Sequence, residues 1–225
     1  GLFQATRLPG APQTPPRLDP QTDEEATAAA EQTLAPPNVP SERAARRLLD
    51  KANRIGARGN LVRAASMRIA AARRGTPNQA TRGLNRAQQD MEQTADRLQP
   101  ALGFDDGERV TWVRLLMVLA INSGHAIWSN EMRLLYDLQK VCIDYERGVY
   151  KLDIYRWIAS GFAEPLKRPL PAKRDVLIAR HMRRATQRLP SIRVSPWARA
   201  RLRKLLQAAL HRAEDKVRTR FRPVI

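Results

Sequence analysis

The chain has 225 residues, long enough to bury a sizeable core, and its hydrophobic fraction of 43% excludes wholesale disorder. Its formal charge of +18 and sequence pI of about 11.3 call for an anionic partner: nucleic acid, an acidic protein or an anionic membrane surface. The single cysteine, Cys142, excludes an intrachain disulfide and a cysteine-based zinc site, and it favours a reducing, cytoplasmic setting.

Residues 1–40 hold eight of the sixteen prolines and read as a flexible arm. A capping box, Thr22-Asp23-Glu24-Glu25, opens one short helix inside it. Ser41 is the N-cap expected for a helix to about Arg54, and Gly56 and Gly59 interrupt before a second helix over residues 61–73. Thr76-Pro77-Asn78-Gln79 combines an N-cap, a proline at the first helical position and a glutamine at the third. The helix it starts is expected to reach about Leu98 with a thin apolar face of Leu84, Ala87, Met91, Ala95 and Leu98.

Residues 107–163 carry the best core pattern. Val110, Val113, Leu116, Met117, Ala120 and Ile121 are spaced for one buried helix, and Leu134, Leu135, Leu138, Val141 and Cys142 for the next, over 129–146. Strand-forming residues between Tyr145 and Trp157 leave a hairpin open there, against a short helix capped by Asp153. The uncharged run 115–130 is shorter than the roughly 18 residues of a membrane span. After the prolines at 165, 169 and 171, two amphipathic helices are expected, over 172–189 and 196–221, the second started by Ser195-Pro196. The expected fold class is all-α: an irregular array of about six to eight helices behind a proline-rich N-terminal arm. Four segments follow: the arm (1–40), a basic helical segment (41–100), an apolar helical core (101–166) and a strongly basic helix pair (167–225).

The charge of these segments is −3, +8, −2 and +15 in that order, so most of the excess lies in the last two helices. Thirty-three of the forty cations are arginines, whose planar fork suits phosphate and carboxylate alike, although a coding bias towards Ala, Arg and Leu would leave the same trace. The final helix sets Leu202, Leu205, Leu206, Ala209 and Ala213 against a cationic remainder, and its predecessor sets Ile178, Met182, Ala185 and Leu189 likewise. The candidate anion-binding residues are Lys173, Arg174, Arg180, Arg183, Arg184, Arg188, Arg199, Arg201, Arg203 and Lys204. The plain alternative is a solvated face, but only Asp175, Glu214 and Asp215 interleave it.

Other features carry less. The motif Ile55-Gly56-Ala57-Arg58-Gly59 resembles the Gly-x-x-Gly loop of KH RNA-binding domains, but the sheet of that fold is not readable around it, and a glycine helix end explains it equally. Pro12-Gln13-Thr14-Pro15-Pro16-Arg17 fits a polyproline-type ligand or a plain spacer. His125 reads as a core or helix-end residue, and His181 and His211 as members of the basic faces. Asp137, Asp144 and Glu146 would suggest acid–base work, but Lys140 and Arg147 stand three residues after the first two and offer intrahelical ion pairs. Trp112, Trp128 and Trp157 read as packing residues, and Trp197 as a possible stacking ring among arginines. No metal, cofactor or catalytic constellation is expected, and the chain reads as non-enzymatic.

The run from Leu134 to Arg147, Leu-Leu-Tyr-Asp-Leu-Gln-Lys-Val-Cys-Ile-Asp-Tyr-Glu-Arg, followed by Lys167-Arg168-Pro169-Leu170-Pro171, resembles part of an uncharacterised bacterial protein family. The resemblance spans about residues 110–225 and implies no activity. It implies that the chain is a piece of a larger protein with hydrophobic regions, with which the initial Gly1 agrees. The expected function is a helical binding module docking on a polyanion, RNA or DNA foremost. The alternative is an assembly scaffold meeting acidic protein or lipid headgroups.

Overall fold

The computed structural model describes residues 41–161 and 173–221, with side chains over 41–147 and 174–219. The expected N-terminal arm and the proline connector lie outside the described residues. Seven α-helices and one 3-10 turn make up the fold, and no strand occurs among the described residues. The helices are α1 (Glu42–Ala57), α2 (Leu61–Ala72), α3 (Pro77–Leu102), α4 (Asp106–Asn122), α5 (Asn130–Gly161), α6 (Lys173–Arg188) and α7 (Pro196–Phe221). None of them is long and apolar enough to cross a membrane.

Local chemistry fixes most helix starts. Ser41, Asn60, Thr76, Asp105 and Ser129 each accept a backbone N–H of the following turn. At α3 the capping box is complete, because Gln79 Oε1 also accepts the Thr76 N–H at 3.1 Å. Helix α3 runs past Leu98 to Leu102, since Pro100 sits in its last turn, where few backbone bonds remain to lose, and Gly103 then stops it at a left-handed φ of 67°. The possible hairpin between Tyr145 and Trp157 is helix instead. Helix α5 continues through Asp153 to Gly161, so that residue lies inside a helix and not at the start of one.

The centre of the array is α2. Ten of its twelve residues, from Val62 and then Ala64 through Ala72, are buried, so it has no outward face. Helices α1, α3 and α4 pack around it, and its alanines let them approach closely. The approach is tightest at Gly83 of α3, where an added Cβ would lie 3.0 Å from the Arg68 carbonyl oxygen and 3.4 Å from the Ala72 Cβ. One charge is carried inside this sandwich. Arg68 donates from Nε to Asp90 Oδ2 at 2.8 Å and from Nη1 to Asn53 Oδ1 at 2.7 Å. Burial pushes the Asp90 carboxyl above its ordinary range, and the Arg68 contact opposes that push. On α4, Ser123 Oγ meets Ser66 Oγ at 2.6 Å, which ties the end of α4 to α2.

The core face of α4 is broader than expected. Of the expected residues only Val110, 45% exposed, misses the core: Leu116, Ala120 and Ile121 are buried, and Val113 and Met117 pack partly buried against it. Trp112, Leu115 and Leu119 widen the face, with Trp112 stacked on Phe104 at 5.5 Å between centroids. The α5 face is as expected, with Leu134, Leu135, Leu138, Val141 and Cys142 fully buried. Helices α5 and α6 run antiparallel, because Asn130, Asp137 and Asp144 meet Ser191, Arg188 and His181 in descending order. Helix α7 packs on α6 and reaches the end of α3, where Arg212 and Lys216 donate to the Leu102 and Ala101 carbonyls.

Two substitutions test this centre. An exposed helical Gly→Ala change stabilises by about 1 kcal/mol, but Gly83→Ala is expected to lower the melting temperature, since overpacking against backbone costs about 1–3 kcal/mol. In urea unfolding, Arg68→Met should cost about 3–5 kcal/mol, and Arg68→Met with Asp90→Leu clearly less, because the double change leaves no buried charge unpaired.

Candidate anion-binding surfaces

The ten expected cations of α6 and α7 divide into two groups. On α6, Arg180, Arg183 and Arg184 are exposed together with Val176 and Gln187, a spacing that puts them on one side of the helix. Arg183 is held, since its Nε donates to Glu214 Oε1 of α7 at 2.8 Å and so closes the seam between the two helices. Arg180 and Arg184 make no ion pair among the described residues. Arg188 turns inward and donates to Asp137 Oδ2 of α5 at 2.7 Å. Arg174 lies over the Tyr145 ring at 4.8 Å and also contacts Asp175. The side chain of Lys173 falls outside the described residues.

On α7, Arg199 donates to the Ile192 carbonyl at 2.9 Å, while Arg203 and Lys204 are exposed and make no ion pair among the described residues. Arg201 is exposed above Trp197 at 5.6 Å from the ring centroid. Trp197 itself is half-buried against the core, so its ring is occupied. The surface therefore retains Arg180, Arg184, Arg201, Arg203 and Lys204 for an external partner.

The acidic middle segment does the inward neutralising, and it does so across helices. Asp137 and Asp144 do not form intrahelical pairs with Lys140 and Arg147. Asp137 is buried against Arg188, and Asp144 Oδ2 lies 2.8 Å from His181 Nε2, within hydrogen-bond distance. His181 is accordingly buried rather than part of a basic face. Glu146 binds Arg97 of α3 through both oxygens, at 2.6 and 2.8 Å, and this contact raises the Arg97 guanidinium above its ordinary range. The three carboxylates thus answer three separate partners and share no site. No group of three His, Cys, Asp or Glu side chains is arranged to hold a metal among the described residues.

A second surface has a stronger claim. On α1, Arg43, Arg47, Lys51 and Arg54 are exposed, with Arg58 at the C-cap continuing their line. At 3.6 residues per turn these five fall within about 80° of arc and run about 22 Å along the axis. None of them makes an ion pair among the described residues, and Asp50 is the acid flanking the stripe. On the opposite side of α1, Leu48, Ala52 and Ile55 pack on Ala64 and Met67 of α2, and Ala45 is buried near Gly75. The Gly-x-x-Gly motif here is a helix end: Gly59 has φ 81°, and no strand surrounds it among the described residues. The spacing of 4, 4, 3 and 4 residues was available in the sequence, but the larger total charge of the last two helices drew the assignment there.

Cys142 offers no chemistry. Burial pushes its thiol up to about 12, and its Sγ lies against the Thr94 carbonyl. A thiol reagent at about pH 8 is expected to leave the folded protein unlabelled and to react with one equivalent after denaturation. Mass spectrometry before and after guanidinium reads both states.

No family model, curated protein or solved structure matches the chain.

Proposed function

We propose that the protein binds a polyanion through its arginine surfaces, with the phosphate backbone of nucleic acid as the partner and α1 as the principal contact. The reading is carried by one observation: five cations in line on α1, all exposed and none spent on an ion pair within the described fold. Along that line Arg43, Arg47 and Lys51 are four apart, as are Arg54 and Arg58, so each is a like-charged neighbour of the next. Such pairs weaken a helix by a few tenths of a kcal/mol each. Asp50 and the end of the helix offset part of this at Arg47 and Arg54, and an external anion would relieve the rest. Arginine, with its two-pronged donor edge, suits phosphate oxygens better than a point charge does. The exposed Arg203 and Lys204 of α7, with Arg180 and Arg184 of α6, add a further stretch of positive surface.

The test is a fluorescence-anisotropy titration of a labelled oligonucleotide of about 30 nucleotides across a salt series. If five or six phosphates are engaged, log Kobs should fall with log salt at a slope of roughly −4 to −5. The variant Arg43→Gln/Arg47→Gln/Lys51→Gln should lose about two to three units of that slope. Its melting temperature should hold or rise, because it removes repulsion and no contact. No binding at about 50 mM salt, or an unchanged slope in the variant, overturns the proposal.

A further inference from the structure

The turn between α4 and α5 presents an aromatic ring in an unusual way. Trp128 is 78% exposed, by far the most open large apolar side chain among the described residues. The turn around it is firmly built. Ser123 accepts the Ala126 N–H at its carbonyl and the His125 N–H at its hydroxyl, and Ser129 returns a backbone bond to Ala126. Gly124 and His125 both take left-handed φ, 58° and 55°, which folds the chain back sharply and sets Ile127 and Trp128 at the outer edge.

The same place is electropositive. Arg73 donates from Nη2 to the Ile121 carbonyl at 3.1 Å, and the Arg74 carbonyl accepts the Ser41 N–H at the start of α1. The end of α2 thus joins the turn to the helix that carries the cationic stripe. Burial, then the positive charges of Arg74, Arg73 and Lys51, hold the His125 imidazole below its ordinary range. Lys51, a member of the stripe, is the smallest of these contributions.

We infer that Trp128 is a base-stacking platform at the edge of the α1 stripe, so that the preferred partner is a single-stranded nucleic acid. The inference rests on the polyanion reading above and adds the form of the polymer. In a duplex the bases are already stacked on one another, and a protruding indole gains nothing from them. An unpaired base can lie on the ring while its phosphates follow Lys51 and Arg47. A bilayer fits less well. Ile127 is only 37% exposed, so the turn offers one ring and not the broad apolar face with which proteins seat in lipid.

The experiment compares the full chain with Trp128→Ala and Trp128→Phe on three probes: a single-stranded oligonucleotide, its duplex, and vesicles with and without about one-third anionic lipid. Trp128→Ala should weaken single-strand binding about tenfold, Trp128→Phe less than threefold, and neither should change duplex binding by more than twofold. Single-stranded probe should also quench a component of the indole emission that is missing in both variants. Equal losses on single strand and duplex, or no loss on either while the α1 variant still weakens binding, overturn the stacking role and leave the polyanion reading standing. Emission that responds to anionic vesicles and not to oligonucleotide assigns the ring to a membrane and overturns the inference. No binding of either nucleic acid by the unaltered chain overturns both.

Discussion

A helix that faces the interior on every side must be built of small residues, and everything packed on it inherits that constraint. Helix α2, with its alanines at 64, 65, 70, 71 and 72, is such an element. Its neighbours come close enough that Gly83 is the only residue type its position accepts without movement of backbone. Because α1 needs only a narrow seam of Leu48, Ala52 and Ile55 to cover α2, most of its circumference is left to water. The exposed cationic line is the other half of that bargain.

The excess charge is sorted by direction. Cations that turn inward meet a carboxylate or a helix-end carbonyl: Arg68 with Asp90, Arg97 with Glu146, Arg188 with Asp137, Arg73 at Ile121, Arg212 at Leu102. The last two complement the negative ends of α4 and α3, where carbonyls lack helical partners. Those residues hold the array together and are poorly placed to serve an external ligand. Among the outward cations, Arg183 closes the α6–α7 seam through Glu214, whereas those of α1 and Arg180, Arg184, Arg203 and Lys204 make no ion pair among the described residues. Net charge by segment therefore overstates what the last two helices can offer and understates α1.

The helical fold and most of its starts were legible because they depend on neighbours in sequence. Thr76 with Gln79, Ser41, and the 3- and 4-residue steps of α5 and α7 act within one or two turns. What was hidden depends on distant partners. Nothing near Asp137 or Asp144 announces Arg188 or His181, which lie 51 and 37 residues away. The local alternatives, Lys140 and Arg147, were the natural reading. The widening of the α4 face, which leaves Val110 out and takes Trp112, Leu115 and Leu119 in, follows from which side the rest of the array covers, and a helix apolar nearly all round carries no such information. Trp128 stood beside Ile127 and so read as core, but the left-handed pair Gly124–His125 turns both outward. A serine, glycine and histidine in sequence hinted at a turn without giving its direction.

The uncompensated repulsion along α1 makes the surrounding electrolyte a structural variable. Dissolved multivalent anions such as sulfate would relax that tension and firm the fold, while the same ions would compete with the proposed polymeric partner for the same guanidinium groups. Conditions chosen to preserve the molecule during handling are thus the ones that mask its outward chemistry, and dilute, weakly ionic media reverse both effects.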